Sequence, residues 1–252
     1  MPAISLVLIA RNEEKDLPAC LKSAKGLVSE IVVADSMSTD DTGMIARSFG
    51  ARVERRRFDS YAGQKNFALG LATNDWALHL DPDETLTPEL KAEILALFEK
   101  GEPPCDAYSI PYINFFLGQR MRHAGLDGER HIRLFRKSKA SFGGGLVHEG
   151  VVVTGNIGEL AQHIEHRSYP DLEEYLEKFN SYTTLAARKM HDAGVKFSML
   201  KIAAVPFEFA KRYIMRLGFL DGFAGLAWSA VSAFYVFVKY AKLWRLERME
   251  NK

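Results

Sequence analysis

The residues best placed to do chemistry are the carboxylates of Asp81-Pro82-Asp83, with Glu84 beside them. Side chains alternate along a strand, so residues two apart point the same way, and Asp81 and Asp83 can converge at the carboxyl end of the apolar segment Trp76 to Leu80. Two hard carboxylates there suit Mg²⁺ or Mn²⁺, ions that also hold phosphates. Asp and Pro are turn formers too, so the same residues could be a solvated turn before a helix. Their company separates the two readings. Asp35 ends a second apolar run, Ile31-Val32-Val33-Ala34, and Ile9-Ala10-Arg11-Asn12-Glu13 ends a third. If the three runs are strands of one sheet, their ends share a crevice that could bind a nucleotide. No GxGxxG or GxxxxGK[ST] follows the first run, which removes the main support for a dinucleotide-dependent dehydrogenase or a P-loop protein.

The elements that must position these side chains follow from the pattern around them. Ile4 to Ile9 is almost wholly apolar, as a strand buried on both faces would be. Glu13 to Lys25 reads as a helix, and Ser38-Thr39-Asp40-Asp41 is an N-cap cluster for a helix reaching Phe49. A strand at Arg52 to Arg55, a helix at Tyr61 to Leu71, the Trp76 to Leu80 strand and a helix from Thr87-Pro88 to Lys100 continue the alternation, with Pro88 favouring that last start. Alternating strands and helices predict an α/β fold with a doubly wound, mostly parallel, Rossmann-like sheet over residues 1–100. After Gly101-Glu102-Pro103-Pro104, antiparallel strands are expected at Ala107 to Phe116, Gln119 to His123 and His131 to Arg136, with Gly143-Gly144-Gly145 as a flexible loop before Val147. From Asp171 the chain reads as helices over Asp171 to His191, Ser198 to Leu217 and Phe223 to Met249, with Gly194 and Gly218 as stops and Pro206 kinking or splitting the middle one. The expected division is a catalytic part at 1–195, made of a nucleotide-binding half (1–100) and an acceptor half (101–195), followed by a helical, membrane-associated region at 196–252.

Ile4-Ser5-Leu6-Val7 leading to Arg11-Asn12-Glu13, Val33-Ala34-Asp35-Ser36 with Ser38-Thr39-Asp40, Gly63-Gln64-Lys65-Asn66 and Asp81-x-Asp83 occur in that order, and the ordered set resembles the family 2 glycosyltransferases, enzymes with the GT-A fold. Arg133-Leu134-Phe135-Arg136 followed by Val147-His148-Glu149 extends the resemblance to about residue 190 and narrows it to the bacterial β-glucosyltransferases of the lipopolysaccharide inner core. The resemblance implies roles position by position. Asp35 would contact the uracil or ribose of a nucleotide-sugar donor, aided by backbone at Ala10 and Arg11 and by the segment ending at Glu13. Asp83 would be the principal ligand of Mg²⁺ or Mn²⁺, Asp81 would touch ribose, metal or both, and His166 would be a late metal ligand. Lys65 would neutralise the diphosphate. The reaction would be a single displacement at the anomeric carbon, inverting it, with a carboxylate taking the acceptor hydroxyl's proton. Glu149 and Glu129 compete for that role; Glu149 is preferred, although His148-Glu149 stands where the family commonly has Glu-Asp. Arg133 and Arg136 could grip a diphosphate or an anionic acceptor. Each also has an ordinary reading, as a surface lysine, a structural histidine, a solvated glutamate or a solvated arginine.

The activity so implied is transfer of a hexose, glucose from UDP-glucose, to a lipid-linked saccharide such as the lipopolysaccharide inner core. Alternatives are a polyprenyl-phosphate or other glycan acceptor, and an inactive membrane adaptor of the same fold. A sugar-phosphate nucleotidylyltransferase would need a glycine-rich basic loop where Arg11-Asn12-Glu13-Glu14 stands. The 252 residues carry 33 Lys+Arg and 32 Asp+Glu, too even a balance for a general nucleic-acid binder. The balance is uneven along the chain: from Lys196 onward ten Lys/Arg face four Asp/Glu, a net +6 that leaves −5 for residues 1–195. Basic residues among Phe197, Met199, Leu200, Phe207, Phe209, Ile214, Phe219 and Leu220 suit a helix at the interface of an anionic membrane. Gly222 to Val238 is uncharged but slightly short of the roughly 20 residues a spanning helix needs, so interfacial docking is preferred over a buried helix or a tilted span. Two distant cysteines and no basic n-region before the first apolar run fit the cytosol, with the chain peripheral on the inner face of the cytoplasmic membrane.

Overall fold

The computed structural model describes residues 2–99, 101–126, 128–145, 148–169 and 172–250, without the side chains of 144, 145, 148, 149, 169, 174, 177 and 250. In chain order the first elements are β1 (Ile4–Ala10), α1 (Leu17–Ala24), β2 (Glu30–Asp35), α2 (Thr42–Ser48), β3 (Arg52–Arg55), α3 (Tyr61–Leu71), β4 (Trp76–His79), β5 (Glu84–Leu86) and α4 (Pro88–Glu99). α3 starts where the Ser60 hydroxyl accepts the Gly63 N–H at 3.1 Å, and α4 starts at Pro88. α1 starts at Leu17 rather than Glu13, for a physical reason. Asn12 is left-handed (φ 57°), and the N–H groups of Asn12, Glu13 and Glu14 are taken by the side chains of Ser38, Thr42 and Asp40 at 3.0, 2.7 and 3.2 Å. Donors that a helix start would leave unpaired instead tie the end of β1 to the loop after β2.

The remaining elements are β6 (Ala107–Phe116), β7 (Gln119–Arg120), β8 (Arg130–Arg136), β9 (Ala140–Gly145), β10 (His148–Val153), β11 (Ile157–Glu159), β12 (Ile164–Tyr169), α5 (Leu172–Asp192), α6 (Ala204–Ala210) and α7 (Gly222–Glu250). The chain forms two compact units, residues 1–112 with 129–166 and residues 113–128 with 167–252. In the first, β3-β2-β1-β4 are parallel neighbours, and β8 and then β6 continue the sheet antiparallel. β11 pairs with β6 in parallel, and β12 pairs antiparallel with β5. This is the α/β, mixed-sheet arrangement expected, with apolar cores on both faces of the parallel part, one around Ile4, Leu6, Leu8 and Leu78, the other around Val7, Val32, Ala77 and Phe135. The loop expected at Gly143-Gly144-Gly145 is instead the end of β9, paired antiparallel with β10 from Gly145↔His148 to Ala140↔Val153. Asn66 holds β9 to α3, donating to the Phe142 carbonyl at 2.8 Å and accepting its N–H at 2.9 Å. Glycine propensity for loops yields there to backbone pairing.

The second unit is mainly helical. Phe116, Met121, Tyr175, Phe179 and Ala224 form its buried centre, with Trp228 and Tyr235 packed against them. The helix expected from Ser198 to Leu217 comes in pieces: a 3₁₀ turn (Met199–Ala203), α6 and a π turn (Lys211–Met215). Pro206 sits in the first turn of α6, where a missing N–H costs least. The start of α7 is tightly packed: a Cβ on Gly225 would stand 1.8 Å from the Gly218 carbonyl oxygen, whereas one on Gly70 in α3 would meet nothing within 4 Å. Gly225→Ala is therefore expected to destabilise the chain by at least about 1–3 kcal/mol through overpacking, and Gly70→Ala to stabilise it by about 0.5–1 kcal/mol. Urea unfolding midpoints check both; equal shifts would contradict the packing at Gly225.

Candidate active site

The carboxyl ends of β1, β2 and β4 carry the expected polar residues. Asp35, last in β2, is buried; its Oδ1 accepts the Ser38 N–H at 2.9 Å and its Oδ2 lies 3.1 Å from Arg55 Nε. Arg55 also donates to the Ser38 carbonyl at 2.7 Å, closing a turn in which Met37 is left-handed. Ala10 stands opposite Asp35 in the β1–β2 register, while Arg11 is exposed and Glu13 half-buried. From α3 come two buried polar residues. Gln64 donates to Ser36 Oγ at 3.0 Å, and Lys65 Nζ lies 3.3 Å from Asp81 Oδ1.

Around Asp81 the structure builds a charged cluster. Arg133, from β8, donates through Nη2 to Asp81 Oδ2 at 2.8 Å and to Glu84, and through Nε to the Tyr112 hydroxyl. Tyr112 in turn donates to Glu84 Oε1 at 2.9 Å, and Glu84 Oε2 accepts the Asp81 N–H at 3.0 Å. Burial would raise the Asp81 carboxyl, but Arg133 and then Lys65 hold it well below the usual carboxylate range. Glu84 goes the other way, raised by burial and by the charge of Asp81 against the pull of Arg133. Burial would also lower Arg133, but Glu84, Tyr112 and Asp81 keep it firmly charged, while burial pushes the Tyr112 phenol up. His79, fully buried at the end of β4, is lowered to about 4 by burial and by Lys65, so it is neutral near pH 7. Its Nε2 is 3.5 Å from Asp81 Oδ1, a contact too long to count as a hydrogen bond.

Asp83 is set apart from this cluster. Its Oδ2 lies 3.5 Å from His166 Nε2, because β12 pairs with β5 in a register that puts His166 opposite Glu84. Burial alone would lower His166; Asp83, then Glu84 and Asp81, raise it. Among the described residues no three His, Cys, Asp or Glu converge as a ready cation cage. Asp83 and His166 do form a pair of O and N donors, whereas the oxygens of Asp81 are engaged by Lys65 and Arg133. A pair of protein ligands fits an Mg²⁺-type ion, which completes its shell with phosphate and water.

His131 and Arg133 both approach Tyr112 from β8, whose pairing with β6 shifts register at Arg133, and Glu129 stands just before the strand. Glu129 Oε1 is 3.2 Å from His131 Nε2, and both side chains are about half exposed. The His131 ring meets the Tyr112 ring edge-on at 4.9 Å, and His166 meets the same ring at 5.7 Å. Tyr112 thus touches the histidine of the Glu129–His131 pair and that of the Asp83–His166 pair. The backbone of Glu149 lies in β10 opposite Gly144, and its side chain falls outside the described residues.

The family model described as Glycosyl transferase family 2 matches residues 5–152, more than half of the chain. The chain belongs to glycosyl transferase family 2. It is 33% identical over 254 residues to an uncharacterized glycosyltransferase of Rickettsia typhi, covering 96% of this chain and 87% of that protein. It is 28% identical to the lipopolysaccharide core biosynthesis glycosyltransferase LpsC of Rhizobium meliloti, covering 99% of this chain and 94% of the relative. Among solved structures it is similar to glucosyl-3-phosphoglycerate synthase from Mycobacterium tuberculosis, crystallised with Mn²⁺, UDP and glucosyl-3-phosphoglycerate, at 19% identity and a TM-score of 0.48 over 78% of this chain and 81% of that one.

In this glycosyltransferase the structure brings Lys65 to Asp81 and His166 to Asp83, and leaves Asp35 in a contact group of its own with Arg55 and Ser38. Sequence reasoning passed over Tyr112, His131 and Arg55, and noted Glu84 only as a neighbour. Arg133 and Arg136 carried two readings in the sequence, a grip on an anion or a solvated strand position; Arg133 is internal to the Asp81 cluster, and Arg136 pairs with Asp75, Glu102 and Asp106. One signal was available: Arg133 follows Ile132 and precedes Leu134 in a strand, and a buried arginine requires carboxylates. Arg133→Met should destabilise the fold by about 3–5 kcal/mol, because it strands buried charge. Adding Glu84→Leu should recover part of that loss, and urea unfolding of the single and double variants checks it; no recovery would mean that Glu84 is not the group left stranded.

Proposed function

We propose that this glycosyltransferase moves a hexose, glucose from UDP-glucose, with inversion onto a lipid-linked saccharide of the lipopolysaccharide-core type. The observation that carries the reading is the Asp83–His166 pair next to the Lys65–Asp81–Arg133 cluster, beyond the carboxyl end of β4. Asp35 and the backbone at Ala10 and Arg11, with the segment to Glu13, form the nucleoside end of the crevice, where a ribose or base would find a buried carboxylate and backbone groups. Asp83 and His166, with Asp81 beside them, are the residues that would hold Mg²⁺ or Mn²⁺, whose charge would offset that of the departing nucleoside diphosphate. Lys65 supplies a second positive charge on the same side.

The acceptor hydroxyl must lose its proton as it attacks, and Glu129 or Glu149 takes it. Support for Glu129 comes from its neighbour His131, which holds its carboxylate on the Tyr112 side of the cluster. Support for the acceptor class comes from the lipopolysaccharide-core relative, similar over nearly the whole of both chains. A lipid-linked acceptor places the work at the inner face of the cytoplasmic membrane, with residues 1–195 carrying the transfer and 196–252 the peripheral attachment, by the +6 charge of that region, to an anionic surface.

A panel of nucleotide sugars tested for Mg²⁺- or Mn²⁺-dependent release of nucleoside diphosphate, with a lipopolysaccharide-core acceptor, should single out UDP-glucose. Asp83→Ala should remove the metal dependence together with most turnover, and unchanged turnover would refute the metal assignment. Glu129→Gln and Glu149→Gln separate the bases: the true base should lose about 10²–10⁴ in kcat while donor KM stays put. If neither variant loses kcat, neither glutamate is the base.

A further inference from the structure

We propose that the chain attaches to an anionic bilayer through the elbow at residues 199–223, with α7 supporting the elbow from outside the hydrocarbon; this rests on the peripheral-attachment reading above. Of the 21 large hydrophobic side chains exposed among the described residues, nine fall within these 25 positions. Leu200, Phe207, Ile214, Met215, Leu220 and Phe223 are each more than half exposed. Single exposed hydrophobics are ordinary, but such a concentration marks an interaction surface.

The exposure is built into the local backbone. Leu217 is left-handed (φ 54°) and Gly222 has φ 61°, so the chain turns sharply at both ends of the 3₁₀ turn Gly218–Asp221. The close approach of Gly225 to Gly218 holds that turn against α7. Asp221 is buried and accepts the N–H groups of Arg122 and His123 at 3.2 and 2.8 Å, so the polar residue of the turn faces inward while Phe219, Leu220 and Phe223 are left in solvent.

Charge identifies the partner. Between Lys196 and Arg216 there are five Lys/Arg and one acidic residue, Glu208, which Arg212 and Lys211 already match at 2.6 and 3.5 Å. The apolar side chains are spread over several short turns rather than one helical stripe, a shape poorly suited to a protein groove. Lipid adapts to such a surface, taking the apolar side chains among its acyl chains and meeting the lysines and arginines with headgroup phosphates. α7 is long and apolar enough to cross a membrane, yet its packing opposes that. Trp228, Phe234 and Tyr235 pack on Tyr175 and Phe179 of α5, and Lys242 donates to Asn180, Thr183 and Thr184 of α5 at 2.7–2.8 Å. α5 carries Glu173, Lys178, Arg188, Lys189 and Asp192. To span, α7 would have to leave α5 or draw those charges into lipid.

The test is flotation of the full chain with vesicles of phosphatidylcholine alone and of an equal phosphatidylcholine–phosphatidylglycerol mixture. The wild type should float with the anionic vesicles, and alkaline carbonate should release it. Leu200→Glu/Ile214→Glu/Leu220→Glu should stay at the bottom of the gradient while keeping the wild-type circular dichroism spectrum. Should those glutamates unfold the chain, Lys196→Ala/Lys201→Ala keeps the apolar surface intact and should lower the partition coefficient about fivefold per charge removed. Flotation of the triple variant, or undiminished partition of the lysine pair, would overturn the elbow while leaving attachment standing; failure of the wild type to float would overturn attachment itself. Carbonate-resistant binding would show that α7 spans. Self-association of the wild type that the triple variant loses, without flotation, would show that a second copy covers the surface instead.

Discussion

The site depends on one buried guanidinium. Asp81 and Glu84 are three residues apart, Glu84 fully buried and Asp81 half-buried, and two carboxylates so placed do not readily ionise together without a cation between them. Arg133 is that cation, reaching both carboxylates and the Tyr112 hydroxyl. It also separates their behaviour, drawing Asp81 down while burial keeps Glu84 raised. The same charge balance explains why Lys65 can be buried at the start of α3: its partner is a carboxylate already held ionised.

With Asp81 held from two sides, Asp83 is the carboxylate presented to His166. The two acidic residues of Asp81-Pro82-Asp83 therefore have different surroundings, one inside an ion-pair network and one paired with an imidazole. Tyr112 connects them. Its hydroxyl belongs to the Arg133–Glu84 network, while its ring meets those of His131 and His166 in T-shaped contacts. A single aromatic side chain on β6 thus contacts both His131, the neighbour of the candidate base Glu129, and the candidate ligand His166.

The helical unit reverses the usual distribution of polar and apolar groups along part of its length. Asp221, Thr183, Ser229 and Ser232 are buried, and Lys242 is occupied by α5, while leucines, phenylalanines and methionines of the elbow face solvent. Asp221, Thr183 and Ser229 are each matched by backbone or side-chain partners, so their burial costs little. What the arrangement leaves unmatched is apolar area and positive charge, the two properties that a lipid surface complements.

The strand runs, the alternation with helices and the places of Asp35 and Asp81 at strand ends were legible in the sequence, because burial on both faces and turn chemistry leave local signatures that do not need the fold to be read. α3 and β3 fall at the expected residues for that reason. The late start of α1 and the pairing of the three glycines in β9 were not legible, since each was decided by a hydrogen-bond partner more than ten residues away or across a hairpin. The same holds for the site. The sequence by itself determined which carboxylates stand at strand ends. Only the tertiary structure, by placing β8 antiparallel beside β4 and β12 beside β5, decided that Arg133 belongs to Asp81 and His166 to Asp83, because charges 52 and 83 residues apart in the chain acquire partners only when strand register brings them together.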